Sequence, residues 1–288
     1  MIGRALIGVV VGGFWSMSAA TAMRLVPEDR VPRALAILNG GGALATVVAA
    51  PLGSFLGGLI GWRGAFFLVV PVAGVVFIWQ LLSLPSMKAE IRPGSGKVFM
   101  LLKRPVVACG IAAVGVFFMG QFALFTYLRP FLEVVTQVDA STLSFLLLIM
   151  GITGFIGTTL IGTFLKDRLY PTLTVIPLLM AAIGAGLIAV GDGLALTALL
   201  LGAWGLFATS APVGWWTWVA RTMPDEAEAG GGLIVAVVQL AITSGAFAGG
   251  FLFDMSGYAL TFGASAILLV IAALLAVMTA RQQRFGSA

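Results

Sequence analysis

The charged side chains of this 288-residue sequence are so sparse that they cut it into nine charge-free runs: 5–23, 34–62, 64–87, 105–128, 140–165, 169–191, 193–220, 229–253 and 255–280. The shortest holds 19 residues, and a helix needs about 20 apolar residues to cross the hydrocarbon core of a bilayer. Charged residues make up 9% of the chain, whereas a soluble domain carries roughly 25%. Too few charges remain to clothe a water-soluble globule. A membrane β-barrel would need short segments of alternating hydropathy, and the runs do not alternate. The sequence therefore predicts an all-α integral membrane protein with nine spans.

Orientation follows from the basic residues between the spans. Thirteen Lys and Arg fall on one side, with only Arg4, Arg63 and Arg129 on the other. Basic loops stay in the cytoplasm, so the C-terminus is expected inside. The net charge of +5 is then a topology signal, and nucleic acid is not an expected partner. The chain has no His and a single Cys, Cys109. His-based catalysis, zinc clusters and disulfide frameworks therefore drop out, and no enzyme chemistry, cofactor or metal is expected. Residues 1–22 also fit a signal peptide, with Arg4 in its basic region and Ala20-Thr21-Ala22 at its cleavage site.

An internal repeat favours a membrane span for that segment. Arg24–Asp29 (RLVPED) returns as Arg221–Glu226 (RTMPDE), and Gly13-Phe14-Trp15-Ser16 returns as Gly214-Trp215-Trp216-Thr217. The glycines at 53, 57 and 58 return at 245, 249 and 250, and Gly61-Trp62 with Phe66 returns as Gly257-Tyr258 with Phe262. Offsets of 192 to 201 residues make the first three spans equivalent to the last three in the same membrane direction, a parallel repeat of the kind found between transporter halves. Residues 105–193 supply three spans ahead of the second copy. Their counterpart ahead of the first copy would lie upstream of Met1, so a parent of twelve spans is expected. Residues 1–84 then form the second part of an N-terminal six-helix half (spans 4–6) and 105–280 the C-terminal half (spans 7–12). Residues 85–104 are a cytoplasmic central loop rich in Pro, Gly and Ser, and 281–288 a cytoplasmic tail.

These features resemble the major facilitator superfamily, in its drug:proton antiporter branch. Arg4-Ala-Leu-Ile-Gly8 resembles that branch's fourth-helix R-x-x-x-G motif. Ala50-Pro51-Leu52-Gly53, continuing through Gly57-Gly58 to Gly61-Trp62-Arg63, resembles its fifth-helix motif, with Ala50 where Gly is usual. Segments 12–27, 50–63, 120–130 and 212–221 resemble bacterial purine ribonucleoside exporters. The resemblance implies a major facilitator fold with nine of its twelve helices. It also implies a monomer in the bacterial inner membrane that exports purine ribonucleosides such as inosine and guanosine against protons by alternating access. Drug or sugar export, or a fragment without transport activity, is the alternative. Ala50, Pro51, Gly53, Gly57 and Gly58 would then belong to a motif associated with exchange between conformations. All eleven Asp and Glu lie in linkers or at span ends. The resemblance therefore puts the proton-carrying acid in the preceding helices, with Arg4 as its electrostatic partner.

A nucleoside site in a membrane needs planar surfaces for the base and groups that both donate and accept, without a buried charge. Gln121 with Phe118, Phe122 and Phe125 at helical spacing meets that need. The other reading is a lipid-facing Phe stripe, with Gln121 bonded to a neighbouring helix. Gln239 and Thr243, four apart, form a second polar stripe, either on the cavity or between helices. Trp204, deep in its span, could stack on a base. Trp215, Trp216 and Trp218, near a span end, suit an interfacial aromatic belt. The small-x-x-x-small pairs are expected at helix contacts.

Overall fold

A computed structural model describes residues 31–85, 100–223 and 226–286, with isolated positions 10, 13, 14, 18, 21 and 25–27. The first expected span lies almost wholly outside these residues. Every regular element among them is helical: α1 (Val31–Ser83), α2 (Pro105–Phe125), the short α3 (Leu128–Val134), α4 (Ala140–Val190), α5 (Leu194–Thr222) and α6 (Ala227–Gly286). Five helical stretches are long and apolar enough to cross a membrane.

Three of these helices are too long for one crossing. At 1.5 Å per residue, the 51 residues of α4 would extend far beyond a hydrocarbon core of about 30 Å. Each of the three breaks once. The non-helical residues are Gly61 in α1, Arg168 in α4 and Ser256-Gly257 in α6. The Thr261 hydroxyl donates to the Gly249 carbonyl at 3.1 Å, although twelve residues of straight helix would part them by about 18 Å. The chain therefore folds back on itself at Gly257. With the breaks counted, the described residues hold eight helical spans, and they coincide with the second to ninth charge-free runs.

The two glycine breaks share one backbone. Gly61 has φ 74°, ψ 162° and Gly257 has φ 74°, ψ −167°, a region open essentially to glycine alone. An edge-to-face aromatic pair follows each of them, Trp62 with Phe66 at 6.5 Å and Tyr258 with Phe262 at 6.0 Å. The sequence repeat is thus repeated as geometry.

The core sits in α2 to α6, the short α3 included. Its largest fully buried side chains include Trp204, Trp215, Trp218, Phe117, Phe131 and Phe262. Helices approach closely where side chains are small, as lipid-embedded bundles require. The Ser265 hydroxyl donates to the Gly120 carbonyl at 2.6 Å, joining α6 to α2. Thr209 donates to Gly154 at 2.7 Å, joining α5 to α4. The Asp139 carboxylate caps α4 by accepting from the Thr142 N–H at 2.9 Å. Its pKa is held below the usual carboxylate value, chiefly by the hydrogen bond to the Thr142 side chain and then by that to its backbone. By contrast, the outward residues of α1 from Phe66 to Leu82 are exposed and apolar, a surface suited to lipid.

Candidate functional site

Gln121 lies in the last part of α2, where that helix meets α5. It is 8% exposed, and its Nε2 donates to the Ala208 carbonyl at 3.4 Å. Among the described residues, its Oε1 is buried with no partner. One turn before Ala208 on α5 stands Trp204, fully buried, whose Nε1 also lacks a partner there. An unsatisfied buried polar atom costs about 1–3 kcal/mol, and each such atom in a native structure asks for a reason. Here one acceptor and one donor are left over on residues that address the same stretch of α5.

The aromatic residues around Gln121 split between core and surface. Phe118 is buried and packs edge-to-face on Phe117 at 5.3 Å. Phe122 is half-buried and meets Phe125 edge-to-face at 5.9 Å, while Phe125 is exposed. Gln121 thus bonds a neighbouring helix and keeps an unused oxygen.

The second polar stripe lies on α6. Gln239 is half-buried and Thr243 exposed, and the Thr243 hydroxyl donates to the Gln239 carbonyl at 2.9 Å. That bond occupies the threonine within its own helix. This part of α6 lies along α2. A Cβ on Gly115 would come within 3.2 Å of Val237, and Gly249 packs on Ala123 and Tyr127.

The fifth-helix motif residues lie in the first arm of α1, where Ala50 is helical. Pro51 and Leu52 border an open apolar groove of about 480 Å³, shared with Ser144, Phe145 and Leu148 of α4. Among the described residues, Gly53, Gly57 and Gly58 have nothing within 4 Å of where a Cβ would be. Arg4 lies outside the described residues.

The tryptophans near the end of α5 differ from the expected belt. Only Trp216 faces outward, at 37% exposure, whereas Trp215 and Trp218 are buried. The indole of Trp218 fills the space left by the missing side chain of Gly110 on α2. Sequence reasoning also missed the Arg221 guanidinium, which donates to the Leu165 and Lys166 carbonyls at 3.1 and 3.0 Å. A lone Arg at a span end carries no sign of such a bond. Among the described residues, no cluster of His, Cys, Asp and Glu could hold a metal. The ion pairs there, Arg129–Glu133 at 2.8 Å and Arg104–Glu226 at 3.5 Å, lie at span ends.

Comparison with known proteins adds to this geometry. The family model for the Major Facilitator Superfamily matches residues 1–246. A Pseudomonas aeruginosa protein named "Transcription regulatory protein OpdE" is 61% identical over 287 residues, which is 98% of this chain and 71% of the relative. Proteins named "Purine ribonucleoside efflux pump NepI" from Salmonella enteritidis and Salmonella typhimurium are each 41% identical over 281 residues, again 98% of this chain and 71% of theirs.

Proposed function

Because the chain belongs to the Major Facilitator Superfamily, a family of membrane transporters, we propose that it serves in the export of purine ribonucleosides such as inosine and guanosine in exchange for protons. The observation that carries the cargo is the 41% identity, over 98% of the chain, to proteins named as purine ribonucleoside efflux pumps. The unpaired Gln121 Oε1 and Trp204 Nε1 support a recognition site between α2 and α5. A purine base offers matching donors and acceptors, and Phe118 and Phe122 offer flat surfaces beside it. Gln239 and Thr243 are proposed to extend this surface along α6, with Phe125 at its rim. The motif from Ala50 to Gly58 is proposed to serve the change between inward and outward states, and Arg4 to partner the titratable group that carries the proton. In this reading the protein lies in the inner membrane as a monomer. Residues 1–84 and 105–280 belong to its two halves, residues 85–104 form the joining loop, and the tail from 281 to 288 is cytoplasmic.

Export of labelled inosine from cells expressing the chain, with the protein verified in the membrane, tests this reading. Efflux should rise over vector controls and collapse when the proton gradient is dissipated. Gln121→Ala should lower it about tenfold or more, as expected when one polar partner of a buried ligand group is lost. Unchanged efflux with the protein in place would overturn the proposal.

A second reading comes from the printed name of the 61% relative, which refers to transcription. In a chain built of membrane-length helices, an effect on gene expression would follow from the level of an exported solute. A reporter response that persists in a Gln121→Ala variant without efflux would separate regulation from transport.

A further inference from the structure

α5 runs as one helix through Pro212, although a proline brings no N–H and its ring crowds the carbonyl four residues back. That carbonyl belongs to Ala208, so α5 offers it no donor at the i+4 position. A donor comes instead from another helix, for Gln121 Nε2 of α2 reaches the Ala208 oxygen at 3.4 Å. The next carbonyl, that of Thr209, accepts from the Thr158 hydroxyl of α4 at 3.3 Å. In the same turn the Thr209 and Ser210 hydroxyls donate back to the Gly205 and Leu206 carbonyls at 3.0 and 2.6 Å, a pattern that loosens and bends helices. The turn ahead of Pro212 thus combines a missing bond, two back-bonds and two carbonyls served from outside.

The arms on either side of this turn are anchored separately. Before it, Gly205 lies against the Met150 backbone of α4, and Gly157 of α4 lies against the Leu206 carbonyl. After it, Trp218 fills the slot at Gly110 of α2, Arg221 holds the Leu165 and Lys166 carbonyls, and Arg104 donates to the Thr222 carbonyl at 3.2 Å. Flexure between two anchored arms gathers in the turn with the fewest backbone bonds, and sharp kinks in helices fall at prolines. At 3.4 Å the Gln121 bond already exceeds the usual N–H···O range of about 2.7–3.2 Å, so a small displacement releases it. Gln121 and Ala208 are both buried, which keeps water from replacing the amide on the freed carbonyl.

We propose that Pro212 is a hinge in α5 and that Gln121 is its latch. With the Gln121 carboxamide on the Ala208 carbonyl the two arms keep one angle; when it leaves, they bend. The inference is independent of the transported cargo.

The test pairs Gln121→Met, which keeps the length of the side chain and removes its donor, with Pro212→Ala, which gives Ala208 a helical donor of its own. Spin labels on Leu199→Cys and Ala220→Cys, both exposed positions and about 31 Å apart along a straight helix, report the angle between the arms. They are read by pulsed electron resonance on the purified full chain, with Cys109→Ser removing the native thiol. The parent should give one narrow distance distribution, and Gln121→Met should at least double its width or add a second, shorter distance. Adding Pro212→Ala should return the distribution to the parent's width. The unfolding midpoint should follow, falling by about 2 °C or more in Gln121→Met and by less than half as much when Pro212→Ala is also present. If Gln121→Met alone does not fold, Pro212→Ala should restore folding. A distribution that Gln121→Met leaves unchanged, or a loss that Pro212→Ala does not repair, overturns the proposal.

Discussion

Repeat-related glycines in near-identical sequence contexts should respond oppositely to the same substitution. A Cβ on Gly249 would stand 2.8 Å from the Ala123 carbonyl oxygen and 3.2 Å from both the Ala123 Cα and the Tyr127 ring. Ordinary carbon–oxygen contacts begin near about 3.3 Å, so α6 would have to retreat from α2 by about half an ångström. Two of the three obstacles are backbone atoms that cannot swing aside. Overpacking of this kind costs about 1–3 kcal/mol, and a gap of that size forfeits roughly a quarter of each dispersion contact along the seam. The bond from the Tyr127 hydroxyl to the Ala246 carbonyl, 3.0 Å long, lies in the same seam and would lengthen with it. The gain in helix propensity from Gly to Ala, about 0.8–1 kcal/mol, offsets only part of this. Gly249→Ala should therefore lose about 1–2 kcal/mol. Gly245, whose Cβ would press deeper into the Met119 carbonyl, should lose at least as much. Gly57, the sequence counterpart of Gly249, meets nothing within 4 Å among the described residues, so Gly57→Ala should be neutral or gain up to about 1 kcal/mol. Unfolding of the purified protein in one detergent, by heat or graded denaturant, reads all three. Equal shifts for Gly57→Ala and Gly249→Ala, or a Gly249→Ala protein as stable as its parent, would refute the packing argument.

Other outcomes follow from single contacts. Gly61→Ala and Gly257→Ala should each cost about 1–3 kcal/mol, because both glycines hold a backbone that a side chain disfavours; the same melts check this, and a tolerated Gly257→Ala would mean that the fold-back in α6 is not fixed there. Thr209→Val removes the 2.7 Å bond to the Gly154 carbonyl while keeping the shape, and should cost about 0.6 kcal/mol and no more than about 1.7. The folded pKa of Asp139 is depressed by its bonds to Thr142. The cap's contribution should therefore be complete above the unfolded carboxylate value of about 3.9 and disappear as pH falls through the lower folded value. Melting midpoints of wild type and Asp139→Asn should accordingly differ by a constant amount from neutral pH down to about pH 5 and converge below about pH 4. A gap that widens on acidification would show that the carboxylate does not act as the cap.

The spans and their ends were legible because a charge inside hydrocarbon is costly. Each break in a long helix falls beside the charges that divide the apolar runs: Gly61 next to Arg63, Arg168 within Lys166-Asp167-Arg168, and Gly257 just past Asp254. Gln121 and Trp204 stood out for a related reason, since an amide or an indole N–H deep in a span needs an account of its hydrogen bonds. Which face of each helix turns inward was not legible. In water an apolar stripe marks the core, but in lipid the outward face is equally apolar, so Phe118 and Phe125 read alike although one is buried and the other exposed. Trp218 read as an interfacial residue for the same reason. Its place was written instead on another helix, in the missing side chain of Gly110. The two G-x-x-x-G-G segments carry this furthest. Their sequences match, yet Gly245, Gly249 and Gly250 press on α2 and Tyr127 while Gly53, Gly57 and Gly58 meet nothing within 4 Å among the described residues. A small-residue motif states that a backbone is able to approach another; the helix that takes up the offer decides whether that capacity becomes packing energy.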